Sequence, residues 1–480
     1  MRGLEVALVE MDDFASGTSS RSSRLVHGGI RYLEHAQFGM VRESVRERET
    51  LLRIAPHLVH PLAFTWPVYR GARISRGKLR LALGIYDFLA RKGRGRRHRM
   101  RSAEGVLEDE PSLSAARLLG GASYHDASTD DSRLTLANVL SAGASGAATL
   151  NHAEALRPMS RDKQEWVIDI RDTLTDAEFE TRARVVVNAT GPWRLNLERR
   201  WPQGTPQRRG TKGVHIAVPA ERIGNRRAVT MISPDDGRVT FVLPGGGNQT
   251  IIGTTDSWTD DLPEEVRATD SDVQYLLRAA NAYFPDARLG ESDVVSGWAG
   301  IRPLADWDGM KNPSAVSREH RILRNGAGLI TVTGGKLTTY RAVAAEIVDA
   351  VEHELGRKPS RCTTADNELP GRDRGREVAA IIDAEPGLGA KVVPELPYTM
   401  GDLSYAITNE MALTLSDLLM RRTRIAFETT DHGVGAAERV VNAVGDIAGW
   451  SETEKRAQIA EYAGDAARVF TIEASSPSYP

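Results

Sequence analysis

An apolar run rich in β-branched residues, positions 6–9, closes on the acid Glu10 and passes directly into the polar loop "MDDFASGTSS". A short run bounded in this way reads as a buried parallel strand. An acid at the end of such a strand is the residue type that takes hydrogen bonds from both hydroxyls of an adenosine ribose. The design returns in "GLITVTGGKLTTYRAVAAEIVDAVEHEL", which runs from strand through the Gly334–Gly335 turn into a helix. Free N–H groups and the helix dipole at that entry favour a polar or anionic ligand. Between the two, "RVVVNATGPW" supplies another buried strand, and the small residues Ala189, Thr190 and Gly191 let a ligand approach the backbone.

Other segments read differently. Residues 38–55 form a helix that Pro56 stops, and residues 132–142 form another. Residues 213–219, 239–244 and 251–255 alternate short strands with Gly and Pro turns, which predicts an antiparallel sheet. From about residue 371 onward strand signals cease and apolar residues fall at helical spacing, so a separate α-helical domain is expected there.

The balance of 62 basic against 64 acidic residues gives no global reason to expect nucleic acid. The single cysteine, Cys362, excludes an internal disulfide framework, and no pairing among the 11 histidines suits a metal, so none is expected. With no apolar run of membrane-spanning length and no export signal, a cytoplasmic location is expected. The stretch 70–101 is basic at both ends and apolar in the middle. Two readings are open for it: a core-facing helix with solvated ends, or a helix lying on an anionic bilayer surface.

The acidic strand end is followed by "SSRSSRLVHGGIRYLE", which gathers four serine hydroxyls, the imidazole of His27, a glycine pair and Arg31–Tyr32. With this string the chain resembles the FAD-dependent glycerol-3-phosphate dehydrogenase family. The resemblance continues in order through "VVNATGPW", "KGVHIAVP", "IIGTTD", "GIRPL", "SREH" and "GGKLTTYR", covering residues 4 to about 370. "YAITNEMALTLSDLLMRRTRIAF" is similar to the family's C-terminal helical domain. The residues alone lead to an α/β nucleotide-binding enzyme with a basic substrate pocket; the resemblance adds the flavin and the substrate.

It implies that Glu10 holds the adenosine ribose, that Ser19, Ser20 and Ser23 lie along the pyrophosphate and ribityl chain, and that His27, Gly28 and Gly29 pass close to the isoalloxazine. Ala153 would offer backbone contacts to adenine, and Thr190 and Gly191 would also approach the cofactor. Gly335, Lys336, Leu337 and Thr338 would bring a helix entry and a cation to the flavin pyrimidine edge. For the substrate, Arg31, Arg318 and Lys336 match the cations that a phosphate dianion needs, with Tyr32, Thr255 and Asp256 lining the site. His215 would take the hydroxyl proton and Arg302 would steady the developing alkoxide.

The implied fold is an α/β FAD-binding Rossmann-like domain interleaved with an antiparallel α+β substrate domain, followed by the helical domain. FAD-binding segments would cover about 1–65, 125–212 and 322–370, substrate segments about 66–124 and 213–321, and the helical domain 371–480. The implied reaction oxidises sn-glycerol 3-phosphate to dihydroxyacetone phosphate, with a quinone as acceptor. A position on the inner face of the cytoplasmic membrane and a homodimer accompany it as expectations. One departure stands out: only nine residues precede Glu10, so the family's first strand and Gly-x-Gly-x-x-Gly turn do not fit before it. The expectation drawn from this is an N-terminally incomplete chain, in which strands 6–9 and 184–187 lose a common neighbour. Two rivals follow, an oxidase of the same family that reduces oxygen and a flavin-free, non-catalytic interaction protein.

Overall fold

The structure, a computed structural model, describes residues 1–90, 97–162, 165–193, 210–303, 319–324 and 328–474. Its centre is a 10-stranded mixed sheet built on the strand Gly210–Pro219, which pairs antiparallel with both Gln249–Gly253 and Ser296–Arg302. The sheet extends through Val59–Tyr69 and Leu118–Thr129 to the two-residue strand Leu25–Val26 just before His27. The expected antiparallel sheet is thus present, and the boundaries placed near residues 65 and 125 fall inside two of its long strands. Valines and isoleucines of its inner face, among them Val214, Ile216, Val229, Val242 and Ile252, are fully buried against the helix Asp270–Tyr283. Alternation of in- and out-facing residues along each strand produces this apolar layer.

The parallel elements form two separate pieces. Ala7–Val9 pairs in parallel with Ala148–Leu150, and Val186–Asn188 pairs in parallel with Leu329–Thr333. Among the described residues the two pieces share no strand. The expectation that positions 6–9 are buried is therefore corrected: Val6 is 51% and Leu8 40% exposed, and both stand on the wall of a large cavity, as does Val187. A strand is buried only when sheet neighbours or helices cover its faces, and here one side faces open space.

The predicted helices are found at Phe38–Ile54, where Pro56 follows the C-terminus, and at Asp131–Ala144, where Asp130 accepts a capping hydrogen bond from the Arg133 N–H. The basic stretch contains the helix Arg76–Leu89, capped by Ser75. Leu79, Leu83 and Tyr86 face the core, whereas Leu81 and Phe88 are 67% and 64% exposed. The core-facing reading thus holds for one face of the helix, and the other face is exposed. Residues 91–96 of that stretch lie outside the described residues.

Beyond residue 371 the chain is helical, as expected, with its longest helix at Glu452–Phe470. Buried ion pairs fasten this unit to the N-terminal loop. Asp13, fully buried, accepts from Arg421 Nε at 2.6 Å, from Arg422 Nη1 at 2.6 Å and Nη2 at 2.9 Å, and from Asn151 at 3.0 Å. Asp417 accepts from Arg421 at 2.5 Å and contacts His152 Nε2 at 3.1 Å. Asp13, His152 and Asp417 lie close enough together to ligate a metal, but the two guanidinium groups already supply the positive charge.

Candidate functional site

The cavity between the two parallel pieces and the large sheet measures about 2340 Å³. A drug-sized ligand takes roughly 300–1,000 Å³. The space is therefore large enough in volume for a dinucleotide together with a second small molecule.

At one end, the strand Ala7–Val9 delivers Glu10 to the cavity wall. Burial pushes its carboxyl up to about 7, opposed by the Asp12 N–H that it accepts at 3.3 Å and reinforced by the charges of Asp12 and Asp13. A half-buried, desolvated acid of this kind gains from further donors, and two ribose hydroxyls are such donors. Ala153 lies beside it, with its N–H already donated to the Glu10 carbonyl at 2.7 Å. Ser19 and Ser23 also line the cavity, and Thr190 and Gly191 line it from the opposite piece. A Cβ on Gly191 would meet nothing within 4 Å, so its value there is the left-handed turn, φ +58°, rather than closeness to protein.

At the other end, His27, Gly29, Gly335, Leu337 and Thr338 form one wall. The Thr338 hydroxyl ties the two chain segments together by accepting from the His27 N–H at 3.1 Å and donating to its carbonyl at 3.3 Å. Gly335 has φ +92°, which favours glycine. Burial, opposed by Asp126 and joined by the charges of Lys336, Arg31 and Arg48, pushes His27 down to about 4, so its imidazole is neutral.

The cations converge on one ring. Lys336 Nζ sits 3.7 Å and Arg31 Cζ 5.1 Å from the centroid of Tyr32, so two positive groups share one aromatic ring. Arg302 lies nearby, gripped by Asp256 Oδ1 at 3.1 Å, Thr254 Oγ1 at 2.8 Å and the Thr255 carbonyl at 3.2 Å. Gly213 makes room for it, since a Cβ there would strike the guanidinium. His215 stands directly across the sheet from Trp298 on one side and Gly253 on the other. Cross-strand neighbours share a face, so the imidazole stacks on the indole with centroids 5.6 Å apart, while Gly253 leaves space for its edge. Nε2 is 2.8 Å from Ser23 Oγ, and Nδ1 has no hydrogen-bond partner among the described residues. Burial, then Arg302 and Arg24, pushes His215 down to about 3, which leaves it a neutral, hydrogen-bond-accepting group at neutral pH.

Three expected contacts are corrected. Ser20 turns away from the cavity, buried, and donates to the Gly17 carbonyl at 3.2 Å. Gly28 does not line it either. Its N–H donates to Tyr86 Oη at 2.9 Å and Asp126 Oδ1 at 3.0 Å, and a Cβ there would strike Tyr86 and Val45, so this glycine answers to the core behind the loop. Thr255 points into the sheet, where its hydroxyl accepts from the Val214 N–H at 3.0 Å, and Thr254 faces the cavity instead. Arg318 lies outside the described residues. Two wall residues had no signal strong enough to single them out: Thr254, and Arg238, which precedes the ordinary apolar strand Val239–Pro244 and donates to the Asp256 carbonyl.

These residues fit a flavin dinucleotide: a hydroxyl-seeking acid, then serine hydroxyls, then glycine-containing walls beside a cation cluster. Residues 1–341 match the FAD dependent oxidoreductase family, and residues 373–455 match the C-terminal domain of alpha-glycerophosphate oxidase. The aerobic glycerol-3-phosphate dehydrogenase of Staphylococcus saprophyticus is 33% identical over 96% of this chain and 89% of its own length. The glycerol-3-phosphate dehydrogenase of a Synechocystis species is 35% identical over 96% and 92%. Among solved structures, the glycerol-3-phosphate dehydrogenase from Bacillus halodurans complexed with FAD superposes with a TM-score of 0.75 at 30% identity, covering 100% of this chain and 92% of that one.

Proposed function

The chain belongs to the FAD-dependent oxidoreductase family and carries that family's α-glycerophosphate oxidase type of C-terminal domain, and from this premise we propose that it oxidises sn-glycerol 3-phosphate to dihydroxyacetone phosphate and delivers the electrons to a quinone. The observation that carries the substrate assignment is the meeting of Arg31 and Lys336 at Tyr32, next to Arg302 and His215, in the cavity that also holds Glu10. Their positions in sequence are far apart, and a phosphate dianion is the group that rewards bringing such cations together.

Glu10, Ser19, Ser23, Thr190, Gly191 and the Gly335–Thr338 turn would hold FAD. When bound, the flavin supplies the acceptor for the hydride that leaves the substrate's secondary carbon. Arg31 and Lys336 seat the phosphate. His215 takes the hydroxyl proton, and its stacking on Trp298 fixes the angle at which it does so. The entering dianion opposes the field of Arg302 and Arg24, which raises the proton affinity of His215 when substrate is present. Arg302, held by Asp256, Thr254 and the carbonyls of Thr255 and Lys212, offers a fixed positive charge beside the developing alkoxide.

The test is anaerobic mixing of the purified, flavin-loaded chain with glycerol 3-phosphate. Rapid loss of flavin absorbance, absent with glycerol or with inorganic phosphate alone, is the expected result. A chain that retains no flavin and bleaches with no polyol phosphate favours the non-catalytic reading. Steady peroxide formation in air at the full turnover rate favours oxygen over quinone as the acceptor.

The quinone reading gains support from the helix Arg76–Leu89, which presents Leu81 and Phe88 outward beside the exposed Arg76, Lys78 and Arg80. Apolar groups ringed by cations suit an anionic lipid surface, where quinones reside. No helix among the described residues is long and apolar enough to cross a membrane, so association would be with one face. The protein is expected to sediment with phosphatidylglycerol vesicles at low salt and to be released from them by Leu81→Asp. Failure to bind at any ionic strength removes the membrane surface from the proposal.

A further inference from the structure

Arg24 is an outlier on two independent counts. Its backbone has φ +55°, a left-handed conformation that few non-glycine residues adopt. Its side chain is half-buried, and the guanidinium atoms Nε and Nη2, both shielded from solvent, lack any hydrogen-bond partner among the described residues. Stability alone favours an apolar residue at such a place. Strain and unsatisfied N–H donors tolerated together point to a functional demand.

The surroundings say which. The Arg24 guanidinium carbon lies 5.3 Å from the ring centroid of Trp298 and 5.3 Å from that of Phe427. These two rings meet edge to face at 5.4 Å. Trp298 is the ring on which His215 stacks, and Phe427 belongs to the C-terminal helical unit, in the helix Ile425–Glu428. A second guanidinium, Arg424, lies 4.8 Å from Phe427 and is itself paired with Asp130 at 3.1 Å and Asp131 at 3.2 Å.

We propose that Arg24 is a positioning residue: gripped between Trp298 of the sheet and Phe427 of the helical unit, it fixes the indole that carries His215 and places a permanent positive charge behind the imidazole. The helical unit thereby becomes part of the proton-accepting apparatus. The charged groups facing the imidazole are Arg302 and Arg24, and those facing Arg24 are Arg424, Asp130, Asp131 and Glu428. The two arginines nearest His215 act in the same direction as its burial, so loss of either raises its affinity for a proton. The choice of His215 rests on the functional reading above.

The experiment uses the full chain labelled with 15N-histidine, the His215 resonances being those that vanish in His215→Gln. In the parent the two ring nitrogens keep the separate resonances of one neutral tautomer from about pH 8 down to about pH 4. In Arg24→Met they move toward the imidazolium position within that range, the midpoint rising about one unit, tenfold in proton affinity. Arg24→Lys restores the parent behaviour. Phe427→Leu keeps the charge but widens its slot, and broadens the His215 resonances without moving the midpoint. Parent-like His215 resonances in a folded Arg24→Met, or in Phe427→Leu where Arg24→Met does not fold, overturn the proposal. The titration is independent of turnover: a chain that shows these shifts yet does not oxidise glycerol 3-phosphate refutes the functional reading and leaves the coupling of Arg24 to His215 standing.

Discussion

Replacing Asp13 with alanine is expected to destabilise the protein by about 3–5 kcal/mol, the cost of leaving buried guanidinium groups without their carboxylate. Asp13 is fully buried and receives three hydrogen bonds from Arg421 and Arg422, which are themselves buried. Arg421 keeps Asp417 when Asp13 is removed, but among the hydrogen bonds of the Arg422 side chain only the one to the Glu410 carbonyl survives. The loss falls on the contact between the N-terminal loop and the helical unit. Limited proteolysis should accordingly release a fragment cut between the two at temperatures where the parent is intact. Denaturant unfolding measures the total. The exposed pair Arg372–Glu368 provides the contrast, since Arg372→Ala is expected to cost less than about 1 kcal/mol. A loss below about 1 kcal/mol for Asp13→Ala would mean that water or another group reaches the arginines.

His215→Ala is expected to slow the reductive half-reaction by about 10²–10⁴-fold, the usual contribution of a placed acid or base. Substrate affinity should change little, because the proposed phosphate ligands are Arg31 and Lys336 and not the imidazole. Arg302→Ala should impair both the rate and the affinity. Removal of Arg302 also takes a 3.1 Å hydrogen bond from the buried Asp256, so Arg302→Lys is the more informative variant. It keeps the charge and loses the fork that reaches Thr254 and Asp256 together, and is expected to retain affinity better than rate. Stopped-flow traces over a range of glycerol 3-phosphate concentrations separate the two quantities. An unchanged bleaching rate in His215→Ala removes that residue from the proton-accepting role.

The two predictions draw on different parts of the chain, and the sequence exposed them unequally. His215 lies on a strand whose alternation is plain in "KGVHIAVP", and Glu10 closes an apolar run that any period-2 reading finds. The Asp13–Arg422 pair spans 409 residues and leaves no local trace, because a Coulombic contact has no sequence period. The same limit explains the misplaced contacts. Ser20, Gly28 and Thr255 each sit one residue from a group that does face the cavity: Ser19, Gly29 and Thr254. Successive residues of a strand or a tight turn face different directions, so a shift of one position exchanges wall for core.

What the sequence by itself determined is everything governed by short-range regularity: the strand ending in Glu10, the glycine turn at Gly334–Gly335 leading into a helix, the antiparallel strands, the change to all-helical chain near residue 371, and the family resemblance those blocks carry. Only the tertiary structure decided which of these residues meet. It brought Arg31 and Lys336 onto one tyrosine ring, set His215 on Trp298, closed Arg24 between Trp298 and Phe427, and turned Val6 and Leu8 toward open space rather than into a core. The physical reason is common to all four: burial and charge pairing are fixed by the whole surrounding surface, and a side chain's partners across a sheet or an interface are set by packing that no local stretch of sequence encodes.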